Sequence, residues 1–251
     1  MSGHSKWSSI KHKKGAADAK RGKLFSKLAR AIIVAAREGG ADPANNLALQ
    51  NAIEKARSYS MPKENIERAI ARGSGADADA QAFETVVYEG YGPSGVAVIV
   101  EALTDNRNRT ASDIRHVFTK NDGNLGTSGA VAWLFERRGI IVVDADRADE
   151  DSVMLAAAEG GAEDVVQDGS SFEVTTSPEA LSSVREALEQ AGIEVESAET
   201  AMVPKTTVEL GDEAAARKTL RLVDELEELD DVNEVHANFD IPEQLLEAVA
   251  G

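Results

Sequence analysis

The hydrophobic pattern of this chain is purely helical up to residue 72 and includes strand-like runs from residue 83 onward, and this change limits the folds that the chain can adopt. Between residues 17 and 72, apolar side chains recur at the spacing of an amphipathic helix, whereas from residue 83 onward short β-branched runs are typical of strands. The segment between them, GSGADADAQA at 73–82, is small and polar, as linkers are. The sequence therefore predicts a helical N-terminal part followed by a longer part built on strands.

Three helices are expected in the N-terminal part, after an irregular N-terminal arm (residues 1–14). The first runs from about Ala17 to Arg37, and Gly39-Gly40 suits its C-terminal cap. Asp42-Pro43 is typical of an N-cap followed by proline at the first helical position, which predicts a second helix that continues to about Tyr59. The third is expected between Pro62 and Gly73. Three amphipathic helices of this length favour a small bundle.

The order of elements after residue 83 predicts two α+β domains, one inserted into the other. Residues 139–203 alternate as β-α-β-β-α-β, the ferredoxin-like arrangement, after a break at Arg137–Gly139. The flanking strands and helices are expected at 83–89, 96–103 (after the turn GYGPSG), 110–120, 130–136, 206–210, 212–228 and 232–238, with a helical turn at 242–250. Because the strands at 206–210 and 232–238 lack a complete sheet of their own, we expect them to join the strands of 83–136.

The predicted fold class is therefore α+β multidomain. A three-helix domain occupies 1–75, a discontinuous α+β domain 83–136 plus 204–251, and an inserted ferredoxin-like domain 139–203. No 18-residue window is apolar enough for a membrane span, and the N-terminus lacks the apolar region of a signal peptide. The chain contains no cysteine, which excludes disulfides, thiolate catalysis and Cys-based zinc sites. These features predict a cytoplasmic protein that makes no membrane contact.

Charge is distributed very unevenly between the two parts. The formal net charge is -17, yet residues 1–72 contain 15 basic and 6 acidic side chains, while residues 73–251 contain 12 basic and 38 acidic ones. Residues 3–37 contain ten Lys or Arg against one acid. A polycation in so acidic a protein favours a polyanionic partner, first of all nucleic acid. The acidic part should repel phosphate; it either faces solvent or contacts a protein partner.

The helical geometry of residues 20–37 separates apolar from basic side chains. At 100° per residue, one side of the helix contains the apolar residues Leu24, Phe25, Leu28, Ile32 and Ala36. The opposite side contains the cations Lys20, Lys23, Lys27, Arg30 and Arg37, which predicts an outward-facing basic surface. A merely solvated amphipathic helix is the alternative. Trp7 is expected either to anchor the arm or to stack on an unpaired base. The candidate nucleic-acid-binding residues are Lys6, Lys11, His12, Lys13, Lys14, Lys20, Arg21, Lys23, Lys27 and Arg30.

A second candidate phosphate contact is the polar segment DNRNRT at 105–110, which follows Thr104. It opens a helix after a strand, so Arg107 and Arg109 could hold a phosphate beside exposed helix-start amides. In the alternative interpretation, Asn108 or Thr110 caps the helix and the two arginines pair with neighbouring acids.

Three long motifs resemble the YebC/PmpR family. They are MSGHSKWSSIKHKK at the start, YEGYGPSGVAVIVEALTDNRNRT at 88–110 and NDGNLGTSGAVAWLF at 121–135. The resemblance spans nearly the whole chain and implies a helical domain and two α+β domains, the third inserted into the second. Members of that family are labelled probable transcriptional regulators, and their mitochondrial relatives activate translation of a cytochrome oxidase subunit. Some members are instead linked to the ribosome, where they ease the synthesis of proline-rich stretches.

Enzymatic interpretations find no support in the sequence. The four histidines show no metal-binding spacing, no G-x-S-x-G elbow occurs, and carboxylate runs such as Asp224–Asp231 are typical of solvated helix faces. We therefore expect no cofactor and no metal. The hypothesis is a non-enzymatic nucleic-acid-binding regulator, with DNA-binding transcriptional control first and an RNA- or ribosome-associated translation factor as the alternative. A protein-interaction scaffold, with an incidental basic arm, is the remaining class.

Overall fold

The computed structural model describes residues 18–76 and 83–242, together with Leu245 and Val249. Within them, seven α-helices and ten strands form an α+β chain, which confirms the predicted fold class. The described chain divides into two compact units, one of residues 136–203 and the other of the residues before and after it. The finer boundaries, 1–75, 83–136 plus 204–251 and 139–203, stay a prediction. Residues 77–82 of the predicted linker and most of the C-terminal turn lie outside the described residues, whereas residues 73–76 form a helical turn instead of a linker.

The first three helices are α1 (Asp18–Gly39), α2 (Leu47–Ser58) and α3 (Lys63–Ala71), the last followed by a π-helical turn at Arg72–Ala76. The chain leaves α1 through Gly40 at φ +91°, a conformation that favours glycine, as the Gly-Gly pair predicts. Their shared core includes the predicted apolar face of α1. Its buried residues are Leu28, Ile32, Ile33, Ala35, Ala36, Leu49, Ile53, Ala56, Met61, Ile66 and Ala69.

The predicted start of the second helix at Asp42-Pro43 is wrong by four residues. Asn46 caps α2, because its Oδ1 accepts from the amide of Leu49 at 3.1 Å. The amide group of Asn46 also donates to the carbonyls of Ala35 and Gly40, each at 2.8 Å, and ties the start of α2 to the end of α1. Asp42 instead accepts from the amide of Ala44 and shapes the connecting turn.

The same unit also contains strands and two further helices. They are β1 (Glu84–Tyr91), β2 (Ala97–Thr104), α4 (Arg107–Lys120), β3 (Asn124–Leu125), β8 (Val208–Glu209), α7 (Glu213–Glu227), β9 (Val232–Ala237) and β10 (Phe239–Asp240). Four of these strands form an antiparallel sheet in the order β3-β1-β2-β9. The predicted hairpin at GYGPSG joins β1 to β2. Helices α4 and α7 cover one face of this sheet, with Phe118, Leu222 and Leu226 fully buried between the layers.

Residues 136–203 form the second unit, in the predicted β-α-β-β-α-β order. Its elements are β4 (Phe135–Asp144), α5 (Glu150–Gly160), β5 (Asp164–Asp168), β6 (Ser171–Thr176), α6 (Leu181–Gln190) and β7 (Val195–Pro204). The strand order β5-β6-β4-β7 is the ferredoxin-like one, since the third strand lies between the first and the second. The core includes Ile141, Phe172, Val184 and Leu188.

Two strand predictions are wrong. Instead of the strand expected at 130–136, the chain forms a turn at Ala132–Leu134, because the amides of Gly129, Val131 and Ala132 bind the Glu89 side chain. Instead of the expected break at Arg137–Gly139, β4 runs unbroken through these residues. The expected strand at 206–210 shortens to β8, which pairs in parallel with β10 in a separate two-stranded sheet. Only β9 joins the strands before the insertion, through β2.

Candidate nucleic-acid interface

Half of the predicted nucleic-acid-binding residues precede Asp18, the first described residue. Lys6, Lys11, His12, Lys13 and Lys14, like Trp7, lie outside the described residues, so their role stays a prediction. Lys20 belongs to the first turn of α1, and its side chain also lies outside the described part. Arg21 is exposed, and its guanidinium lies 5.6 Å from the centre of the Phe25 ring.

The next two lysines of α1 bind the C-terminal end of α7. Lys23 Nζ donates to the carbonyl of Glu228 and pairs with Asp230 at 2.9 Å. Lys27 Nζ donates to the carbonyl of Glu227 at 2.5 Å. A helix end leaves its last carbonyls without intrahelical partners, and ammonium groups satisfy both these acceptors and the negative end of the helix dipole. Burial, and then the charge of Lys23, lower the pKa of Lys27 to about 8.

Arg30 continues this row of contacts one turn further along α1. Its guanidinium donates to the carbonyl of Asp230 at 2.9 Å and to that of Leu103 at 3.2 Å, and lies 3.4 Å from the carboxylate of Asp231. It also lies 4.7 Å from the centre of the Phe83 ring, at a cation–π distance. Arg30 therefore joins α1 to the end of β2 and to the turn after α7.

The predicted outward-facing basic surface is thus wrong for Lys27 and Arg30, which are only partly exposed, whereas Lys23 is exposed but also pairs with Asp230. Their side of α1 packs on the turn between α7 and β9, because that turn offers carbonyls and carboxylates spaced along the cations. The acidic run Asp224–Asp231, which the sequence assigned to solvent, supplies these acceptors. The complementary charge of the two segments was the available sequence signal. Whether the three cations also contact a polyanion stays a prediction.

A second charged contact, which sequence reasoning missed, joins α2 to the outer strand of the sheet. Lys55 Nζ pairs with Glu234 at 2.9 Å. His236 Nε2 lies 3.4 Å from the other oxygen of Glu234 and 3.9 Å from Glu101. Burial opposes the charge of Glu234, but Lys55 and His236 outweigh it, so the pKa of this carboxyl is well below its ordinary value. The contact holds the helical part on the sheet.

Arg107 and Arg109 are both held by carboxylates. Arg107 makes a bidentate contact with Glu84, in which Nε donates to Oε1 at 2.5 Å and Nη2 donates to Oε2 at 2.6 Å. Arg109 binds Asp231 at 2.6 Å and Asp105 at 2.8 Å, and the hydrogen bond to Asp231 raises its pKa above its ordinary value. The alternative interpretation, with arginines paired to neighbouring acids, describes this loop in the structure.

The cap of α4 is neither of the expected residues. Asn106 Oδ1 accepts from the amide of Arg109 at 3.1 Å, whereas Thr110 donates to Asp231 at 2.8 Å. Burial would raise the pKa of Asp231, but the hydrogen bonds from Arg109 and Thr110 lower it. Asp231 therefore remains charged at the junction of α1, α4 and β9.

A buried carboxylate organises the loop of the NDGNLGTSGAVAWLF motif. Glu89, only 6% exposed, accepts from the amides of Gly129 at 2.6 Å and of Val131 and Ala132 at 2.8 Å. Burial would raise the pKa of Glu89, but these three amides lower it. Gly126 adds a further bond, from its amide to the Glu89 carbonyl at 2.8 Å. Both the side chain and the backbone carbonyl of Glu89 therefore hold the loop in place.

The same loop presents two aromatic rings at the surface. Trp133 is 66% exposed and Tyr91 is 38% exposed. Both polar atoms bind one acceptor, the carbonyl of Ala130, at 3.2 Å from Trp133 Nε1 and 3.1 Å from Tyr91 Oη. Sequence reasoning missed this surface, because a Trp within an apolar run reads as a core residue.

Among the described residues, no cluster of three or more His, Asp or Glu lies close enough together to hold a metal ion. Nor does that part of the chain contain a helix of the length and apolarity needed to cross a bilayer.

Comparisons with known proteins decide the family. The model of the TACO1/YebC N-terminal domain matches residues 5–76, and that of the TACO1/YebC second and third domain matches residues 83–239. The chain belongs to the TACO1/YebC family. The resemblance read from the three motifs is thereby confirmed.

Relatives of this TACO1/YebC chain match it from end to end. A protein of Rubrobacter xylanophilus is 60% identical and one of Persephonella marina is 55% identical, each over 100% of both chains. Both are named "Probable transcriptional regulatory protein". The crystal structure of a conserved hypothetical protein from Aquifex aeolicus is similar at a TM-score of 0.80 and 53% identity, over 90% of this chain and 93% of that one.

Proposed function

We propose that this TACO1/YebC chain is a non-enzymatic, nucleic-acid-binding regulator whose basic N-terminal segment contacts DNA. The observation behind the proposal is the segregation of charge: residues 1–72 have a net charge of +9 in a chain of net -17. Phosphate backbones provide the affinity of such contacts, since each neutralised phosphate releases counterions. The names of the relatives support regulation of transcription as the process.

The proposed contact is centred on the arm and the first turns of α1. Lys23, Lys27 and Arg30 are held by α7 and the following turn, and Asp230 and Asp231 balance part of their charge, so they are not among the cations proposed to bind phosphate directly. The cations proposed to bind phosphate directly are Lys6, Lys11, His12, Lys13, Lys14, Lys20 and Arg21. The acidic remainder, with its net charge of -26, is proposed to face solvent or a protein partner.

A second candidate is RNA, in the form of a ribosome-associated translation factor. Phosphate contacts do not distinguish DNA from ribosomal RNA. The exposed Trp133 favours this candidate, because aromatic rings commonly stack on unpaired bases in RNA recognition.

Fractionation of a cell lysate tests the two candidates directly. The lysate is sedimented through sucrose with and without DNase, and DNA bound to the protein is recovered in parallel. Nuclease-sensitive recovery on particular promoters supports the DNA proposal. Co-migration with ribosomal subunits that survives DNase favours the second candidate, and migration as a free protein under both conditions contradicts both.

A further inference from the structure

The loop around Trp133 combines exposed aromatic rings with hydroxyl side chains, and residues 123–134 include no Asp or Glu. Trp133 and Tyr91 are exposed, although placing large apolar rings in water costs free energy. Their polar atoms are already satisfied by the Ala130 carbonyl, so each ring is held in place from its edge. The faces of the rings remain the part available to a ligand.

The loop beneath the rings is braced independently of any ligand. Glu89 binds three amides of residues 129–132, and Val131 is fully buried. The amide of Leu134 closes the turn on the Val131 carbonyl at 2.9 Å. A ring held this way loses little conformational freedom on binding, which favours affinity.

A neighbouring segment that contains a cation is bonded to the same loop. The amide of Lys205 donates to the carbonyl of Leu134 at 2.8 Å, which joins the backbone of the exposed segment Lys205–Thr207 to the residue after Trp133. On the loop itself, Thr127 and Ser128 are exposed hydroxyl donors.

Charge distinguishes this surface from the rest of the domain. Neither residues 123–134 nor residues 204–208 include an Asp or Glu, although residues 73–251 contain 38 of them. The nearby carboxylate of Glu89 is buried and bound by amides. This composition suits a ligand with a flat ring and a negative charge.

We propose that Trp133 and Tyr91, with Lys205 beside them, form a stacking platform for an unpaired base of single-stranded RNA. The base lies on the exposed indole face, and the Lys205 ammonium contacts the adjacent phosphate. The inference rests on the second candidate function, RNA binding, and specifies a strand type and a contact distant in sequence from the arm. A protein hot spot also uses Trp and Tyr, but it requires surrounding apolar area, whereas Thr127, Ser128 and Lys205 are exposed polar residues of this loop and of the segment bonded to it.

Tryptophan fluorescence tests the platform in the full-length chain. Since the chain has two tryptophans, Trp7→Phe leaves Trp133 as the sole emitter. This protein is titrated with single-stranded octauridylate and with an eight-base-pair RNA duplex, while the anisotropy of a label on the RNA reports binding. Stacking predicts quenching by octauridylate at the concentrations that saturate the anisotropy, and binding of the duplex without quenching.

Substitutions complete the test. Trp133→Ala should weaken octauridylate binding about 5- to 150-fold, with duplex binding unchanged, and Trp133→Phe should retain most of the affinity because it keeps a ring. Since Trp133 is exposed, both variants should keep the wild-type circular dichroism spectrum. Unquenched Trp133 fluorescence together with full octauridylate affinity of Trp133→Ala would overturn the platform and leave a protein as the occupant.

The outcome also separates the platform from the arm. Octauridylate quenching that persists when Lys6, Lys11, Lys13 and Lys14 are replaced by Ala supports the platform as a contact separate from the arm. Arm-dependent duplex binding without quenching by octauridylate overturns the platform alone. Failure of both RNAs to bind the unsubstituted chain overturns the platform and the RNA candidate, whereas the proposed DNA contact of the arm is tested separately by binding of duplex DNA.

Discussion

Lys27 Nζ lies 2.5 Å from the carbonyl oxygen of Glu227, a residue 200 positions further along the chain. With the neighbouring contacts of Lys23 and Arg30, it attaches the basic side of α1 to the C-terminal end of α7. Cations that a helical projection places toward solvent therefore join two parts of one unit. The positive charge of the N-terminal part divides accordingly into a docked portion and an arm.

Removal of Arg30 should destabilise this attachment. Arg30→Ala deletes hydrogen bonds to the carbonyls of Asp230 and Leu103 and leaves Asp231 with fewer cations, so we expect a loss of about 1–3 kcal/mol in the free energy of unfolding. Urea denaturation measures it. Arg21→Ala, an exposed change on the same helix, should stay within about 0.5 kcal/mol. Equal losses in the two variants would show that the docking contact does not stabilise the fold.

The lowered pKa of Lys27 predicts how stability depends on alkaline pH. Between the folded value of about 8 and the ordinary lysine value of about 10.4, the unfolded chain binds a proton that the folded chain has released. Stability contributed by this site therefore rises with pH in that window. Urea unfolding at pH 7 to 9.5 should show wild type gaining on Lys27→Met as the pH rises. A difference that is constant across the series would mean that Lys27 titrates normally.

Glu225 predicts a second rise of stability with pH, in the acidic range. Hydrogen bonds from Lys120 and Asn121 lower its pKa to about 2, so its contribution is complete above about pH 4.5 and is lost as the pH falls toward 2. Glu225→Gln should cost about 1–2 kcal/mol at pH 7 and progressively less toward pH 3. Chemical denaturation at several pH values measures the gap. A gap that widens with acid would contradict the assignment.

Glu89 should contribute far more to the stability of the fold than Glu84, which lies on the same strand, β1. Glu89→Gln replaces one acceptor oxygen by a donor that faces a backbone amide, so we expect a loss of about 2–3 kcal/mol. Glu84→Gln, which weakens only an exposed pair with Arg107, should cost less than about 1 kcal/mol. Thermal unfolding of both variants gives the comparison, and similar losses would refute the bracing role of Glu89.

The sequence was most informative where structure follows from local periodicity. The apolar face of α1, the Gly39-Gly40 helix end and the ferredoxin-like order all depend on neighbours within a few residues. The turn at Ala132–Leu134 was missed because its amides bind Glu89, some 40 residues away in sequence. The docking of Lys27 depends on a partner 200 residues away, and no helical projection includes such a partner.

The charge pattern located the candidate site, but it did not reveal which of its basic side chains pair with acidic groups of the same chain. A run of cations and a run of acids are each compatible with solvent, and only the fold decides that Arg30 meets Asp231. The exposed Trp133 was hidden for a related reason, because an apolar run does not reveal which of its members the chain turns outward.

The salt dependence of duplex DNA binding tests the proposed role of the arm most directly. If the arm and the start of α1 neutralise six to eight phosphates, the slope of log K against log salt should be about -5 to -7. Replacement of Lys6, Lys11, Lys13 and Lys14 by Ala should reduce its magnitude by about 3 to 4. The control variant loses equal charge elsewhere, at Arg137, Arg147, Arg217 and Lys218, and should keep the wild-type slope. Equal slopes for the arm variant and the wild type would contradict nucleic-acid binding through the N-terminal arm.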